Sequence, residues 1–164
     1  MHGLDAVRKV EVGVSKLDVL RQSELFSSLT DEELKVIEKN LISEAFDPGA
    51  VICKQGKKLD KLYVIEDGLV GIIREVGPLA QRQVQSAAKF DVVGWSALVG
   101  PHICTATAKA IKKTKVLTFK REDMDRLCAT RPDIGCKVSN GLARVVAKRL
   151  SEAYTQLLGV TSED

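Results

Sequence analysis

No apolar stretch of this sequence approaches the roughly 18 residues that a membrane-spanning helix needs. The N-terminal residues MHGLDAVRKVEVG lack the apolar core of a secretory signal. The expected location is therefore the cytoplasm. No five like charges stand in a row, and a net charge of +3 is too small to argue for nucleic acid by itself. Histidine is nearly missing, with only His2 and His102. The four cysteines, Cys53, Cys104, Cys128 and Cys136, form no C-x-x-C pair. A metal site needs clustered ligands, so none is expected, and the cysteines read as reduced, mostly buried thiols. The glycine-rich loops of P-loop and Rossmann proteins are missing too. No Ser/His/Asp or Cys/His set stands at a plausible spacing, so nothing argues for an enzyme. Aromatic residues make up 4% of the chain and include a single tryptophan, Trp95.

What is there suits one globular domain: 164 residues, 45% apolar and 29% charged. Residues 1–13 are expected to be weakly ordered, with 14–164 forming the domain. The pattern over 14–21 predicts a short helix packed through Val14, Leu17 and Leu20. Thr30 and Glu33 form a capping box, in which each side chain satisfies a backbone N–H near the other. It opens a helix to about Asn40, with Leu34, Ile37 and Leu41 on one face. Turn signals then recur at Asp47-Pro48-Gly49, Gln55-Gly56, Asp67-Gly68 and Gly77-Pro78. Short strand-like runs lie between and beyond them, among them 62–65, 69–73, 83–88, 103–110 and 115–119. About eight strands at this spacing predict an antiparallel β-roll or jelly roll. With helices on both sides, the fold class is mainly β, of α+β type. Helix returns over 121–129, and Asp133 is placed to cap a long amphipathic helix over 134–158.

Residues 90–110, FDVVGWSALVGPHICTATAKA, carry the most chemical information. Gly94 followed by Trp95-Ser96-Ala97-Leu98 cues a short helix, which Gly100-Pro101 stops before a strand over 103–110. A helix N-terminus preceded by glycine offers free N–H groups and a positive dipole end. That geometry suits a phosphate or another small anion.

The whole pattern resembles the cyclic nucleotide-binding domain family, which includes the catabolite activator proteins and the regulatory subunits of cAMP-dependent kinase. The likeness rests on Leu25-Phe26-Ser27-Ser28-Leu29 with Glu32-Glu33-Leu34, FDPGAVI at 46–52, Gln55-Gly56, LYVIEDGLV at 62–70, Gly94 and ATAKA at 106–110. It covers about residues 20–158 and implies a non-enzymatic regulatory or sensory domain with a cyclic nucleotide as ligand. The family's phosphate cassette resembles Phe-Gly-Glu-(Leu/Ile)-Ala-Leu, then Pro-Arg-x-Ala-(Thr/Ser)-Val. Its Glu accepts from the ribose 2′-hydroxyl and its Arg pairs with the cyclic phosphate. Here Gly94 holds the glycine position, Trp95 falls where the Glu should be, and Cys104 falls where the Arg should be. Ala97 and Leu98 fit the Ala-Leu, and Thr105, Ala106 and Thr107 follow the cysteine. Losing one partner of a buried charge pair costs about 2–5 kcal/mol, roughly 30-fold to several thousand-fold in affinity. Tight cAMP binding is therefore not expected.

The candidate pocket comprises Gly94, Trp95, Ser96, Ala97, Cys104, Thr105 and Thr107. Trp95 has two readings. Its ring either stacks on a ligand, or fills the space and leaves a ligand-free structural or protein-interaction module. Cys104 reads as a small buried hydrophobe before a redox-sensitive thiol, and His102 as a solvated loop residue. Arg74, Arg82 and Lys89 lie near the roll's loops, where one of them would replace the absent arginine from another direction. In the long helix, residues 146, 150, 153 and 157 are apolar at heptad-like spacing. That stripe packs either on its own barrel or against a second copy, and the helix's length favours a homodimer through 134–158. No helix-turn-helix follows, so a signalling partner is expected rather than DNA.

Overall fold

The computed structural model of the chain describes residues 14–159, so the expected weak order of residues 1–13 lies outside the described residues. α1 (Lys16–Gln22) begins after Ser15, whose hydroxyl accepts from the Asp18 N–H. Ser15 is the better cap and sets the start, so Val14 is left exposed, and Val19 with Leu20 makes the core contact. α2 (Asp31–Glu38) opens on the expected Thr30–Glu33 capping box. Glu33 also accepts from Lys137 at 2.7 Å, which ties α2 to the far end of the chain.

Eight antiparallel strands form two four-stranded sheets, the expected roll. One sheet runs β1 (Ile42–Phe46), β8 (Thr114–Lys120), β3 (Lys61–Asp67), β6 (Val92–Val93). The other runs β2 (Val51–Cys53), β7 (Thr107–Ala110), β4 (Val70–Glu75), β5 (Gln81–Ala87). Leu62, Tyr63, Val64 and Ile65 of β3 are all buried. A strand covered on both faces reads as a continuous apolar run rather than an alternating one. Phe26, from the loop between α1 and α2, meets Phe119 of β8 edge to face at 6.1 Å. Full burial of one such ring contributes about 1.5–3 kcal/mol.

The strand expected over 103–110 starts only at Thr107. Residues 103–106 lean instead on the 56–58 turn: the Cys104 N–H donates to the Lys57 carbonyl, and the Gly56 N–H to the Cys104 carbonyl, both at 2.9 Å. The cysteines are all free, as expected, but Cys128 and Cys136 are exposed and only Cys104 is fully buried.

α3 (Arg121–Thr130) leads into α4 (Pro132–Leu157). Asp133 is not the cap. Arg131 holds that position and Asp133 sits in the first turn, paired with Arg131 at 3.0 Å. Pro132 starts the helix because its fixed φ suits the first position and it has no N–H to satisfy. Close approach then docks α4: a Cβ on Gly141 would stand 2.1 Å from the Leu25 carbonyl oxygen. The later turns of α4 carry on across the second sheet.

Candidate functional site

The site grows from the turn after β6. Gly94 has φ +81°, and a Cβ there would come within 2.9 Å of Leu59 Cδ2 and 3.1 Å of the Lys61 carbonyl oxygen. Only glycine takes this conformation in so little space. The chain then makes a single turn of 3-10 helix, Trp95–Leu98. This corrects the sequence expectation in part, since four residues supply little of the dipole a longer helix would offer.

Gly94, Trp95, Ser96, Cys104 and Thr105 come together in the wall of one cavity of about 880 Å³. That volume falls within the roughly 300–1,000 Å³ usual for small-molecule sites. Ala97 and Thr107 do not reach it. Ala97 is fully buried in the core beneath the turn. Thr107 Oγ1 accepts from the Gln55 N–H at 3.0 Å and donates to the Glu75 carboxylate at 3.4 Å. The Trp95 indole is half-buried and forms part of the cavity wall.

The opposite wall is α4. Val146, Leu150, Ala153 and Leu157 line the cavity, so the heptad-like stripe faces the protein's own roll. A β-bulge explains the docking. Ile72 pairs with Gln85 and Ile73 with Gln83, which leaves Val84 as the extra residue of β5. A bulged residue is left out of the ladder, and the Val84 carbonyl accepts from Gln156 Nε2 of α4. Gln85 Nε2 donates to the Arg149 carbonyl at 3.1 Å, and Arg149 Nη2 donates to the Val92 carbonyl at 2.9 Å. The sequence reading missed Gln85, Arg149 and Gln156. Its only signal was an unusually polar strand, Gln81-Arg82-Gln83-Val84-Gln85.

The cavity's charge is one-sided. Arg74, Arg82 and Arg149 line it, and among the described residues no Asp or Glu does. Lys89 lies elsewhere, its ammonium 5.3 Å above the Phe90 ring. His102 is outside the wall, with Nδ1 3.4 Å from the Ser96 carbonyl oxygen. Cys53 and Cys104 both stand in the wall. Burial, with Cys104 alongside, pushes the Cys53 thiol up to about 12, and burial raises Cys104 as well. Both are neutral at pH 7, so Cys104 serves as a small apolar wall residue and not as a reactive thiolate. Among the described residues, no cluster of three metal-ligating side chains occurs, and no helix is long and apolar enough to cross a membrane.

Residues 43–131, more than half of the chain, match the family model of the cyclic nucleotide-binding domain. The chain is 28% identical over 113 residues to the cGMP-dependent protein kinase egl-4 of Caenorhabditis briggsae, covering 68% of this chain and 15% of the kinase. It is 24% identical over 147 residues to a CRP-like cAMP-activated global transcriptional regulator of Mycobacterium tuberculosis, covering 90% of this chain and 64% of the regulator. The chain thus spans only part of either relative. Among solved structures, a cyclic nucleotide-binding domain from Methylobacillus flagellatus superimposes with a TM-score of 0.79 at 20% identity, covering 90% of this chain and 83% of that one.

Proposed function

Because this chain belongs to the cyclic nucleotide-binding domain family, we propose that it is a non-enzymatic cytoplasmic regulatory module whose cavity takes a small amphipathic anion. One observation carries the proposal: the cassette turn and α4 form two walls of the same cavity. A ligand there touches both at once. The closed position of α4 is held by Gln156 on Val84 and by Arg149 on Val92 and Gln85. A ligand with different affinity for the closed and open positions shifts the balance between them. A partner signalling protein would read that shift.

The usual ligand of the two curated relatives does not suit this wall. Cys104 is a neutral thiol and gives no charge to a phosphate. The Trp95 indole is a donor only, so it cannot accept from a ribose hydroxyl. Cyclic AMP and cyclic GMP are accordingly weak ligands here. The alternative, a ligand-free module with Trp95 filling the pocket, is poorly supported, because an indole occupies only a fraction of about 880 Å³.

Homodimerisation through 134–158 belongs to the same proposal in a modified form. Leu150, Tyr154, Leu157 and Leu158 are exposed to 50%, 57%, 82% and 78%, enough apolar surface to draw a second copy. Yet Leu150 and Leu157 also line the cavity. The same leucines would have to meet both a ligand and a partner, so ligand binding and dimerisation compete through linkage.

Calorimetric titration with 5′-mononucleotides, cAMP and cGMP tests the binding claim. Saturable heat with at least one compound is expected; no heat and no thermal shift with any of them would reject it. Sedimentation tests the linkage. A bound nucleotide should move the chain toward monomer, and a dimer constant indifferent to it would show that the stripe is not shared.

A further inference from the structure

Arg74 of β4 and Arg82 of β5 are direct cross-strand partners, and both line the cavity. Like charges opposite each other on a sheet repel. Among the described residues, nothing on the cavity wall offsets this. Among the described residues, no carboxylate lines the cavity and neither arginine forms an ion pair. Glu75, next along β4, is taken by Lys54 at 2.6 Å. Arg74 also donates to the Thr105 carbonyl, which ties its guanidinium to the cassette segment that lines the cavity. Both side chains are exposed, so they stand at the rim, where an entering ligand meets them.

We propose that Arg74 and Arg82 clamp a dianionic phosphate monoester, the 5′-phosphate of a mononucleotide, in preference to a cyclic phosphate. The inference rests on the cavity being a ligand site and names what that site selects. A cyclic phosphodiester carries one negative charge and leaves one arginine uncompensated. A monoester carries close to two above about pH 6 and presents three terminal oxygens. Two guanidinium forks match that group in charge and geometry. The apolar wall and the Trp95 face receive the base.

The test is calorimetry at pH 8 and fixed ionic strength with 5′-AMP, 5′-GMP, cAMP and cGMP, on the natural chain and on Arg74→Gln and Arg82→Gln. A 5′-monoester should bind about tenfold more tightly than the cyclic form of the same base, and each variant should lose about tenfold in monoester affinity. Monoester affinity should also fall as pH drops through about 6, where the phosphate takes up its second proton. The charged and titratable side chains on the cavity wall among the described residues are Arg74, Arg82, Arg149, Cys53 and Cys104, and the two thiols remain neutral there. Removing an exposed arginine from a repelling pair should not unfold the chain, and an unliganded melting curve checks this for each variant. Cyclic forms as tight as the monoesters, or monoester affinity unmoved in both variants, would overturn the clamp and leave the ligand-binding proposal standing. Silence with all four nucleotides would overturn both.

Discussion

At the scale of residues, the proposed function turns on Cys104 and Trp95, which by the family resemblance stand where a charge and an acceptor would serve a cyclic nucleotide. Restoring the charge is a direct check. Cys104→Arg should raise cAMP affinity by about 30-fold or more, the lower range of a buried charge contact. Unchanged affinity by calorimetry would mean that the phosphate does not lie near residue 104. Two buried acids give a second residue-level prediction. Burial pushes Cys53 from its ordinary 9.0, and Tyr63 from 10.0, up to about 12 in each case. The folded state thus prefers both in the protonated form. Their contribution is fully present below about pH 9 and is lost as pH climbs toward 12. Urea denaturation from pH 8 to 11 should show falling stability, with a shallower fall in Tyr63→Phe; equal slopes would contradict the assignment of Tyr63. Much of this was legible in the sequence, because cassette spacing alone brought Gly94, Trp95, Ser96, Cys104 and Thr105 to one wall. Ala97 and Thr107 share that spacing, but one turns inward to the core and the other is held by Gln55 and Glu75. Spacing does not tell which way a side chain turns.

At the scale of elements, α4 links the core to the cavity. Its first half is fixed by Glu33–Lys137 and by the approach of Gly141 to the Leu25 carbonyl. The neighbour of Gly141 is backbone, which cannot swing aside as a side-chain tip would. Gly141→Ala should therefore lift α4 and cost about 1–3 kcal/mol, as overpacked sites do. Natural stability in urea for that variant would show that the helix is not pinned there. The acid side follows from the same contacts. The Lys137 ammonium, with the Thr30 N–H, holds Glu33 below its ordinary 4.5. That contribution is present above the ordinary value and is lost as pH falls below it. The capping box and the β-turns could be read from sequence because each is decided within a few residues. The bulge at Val84 could not, since it is a property of how β4 and β5 pair. The apolar stripe of α4 was visible as a stripe, but what it faces depends on where the bulge lets Gln156 and Arg149 attach.

At the scale of the whole molecule, the second sheet, the cassette turn and the terminal helix together wall a cavity that stays open to solvent. The fold was recoverable from turn spacing and helix order, and the family follows from residues 43–131. The docking of the terminal helix was not, because it joins residues 64 and 72 positions apart in sequence. The central claim is that a nucleotide enters between the cassette and α4. Trp95 is the chain's only tryptophan and sits in that wall, so its emission reports on this place alone. Titration of that emission with 5′-AMP, 5′-GMP, cAMP and cGMP should give a saturable change, with protection from acrylamide at saturation. A fixed blue emission, unmoved by every nucleotide and shielded from acrylamide throughout, would contradict the account.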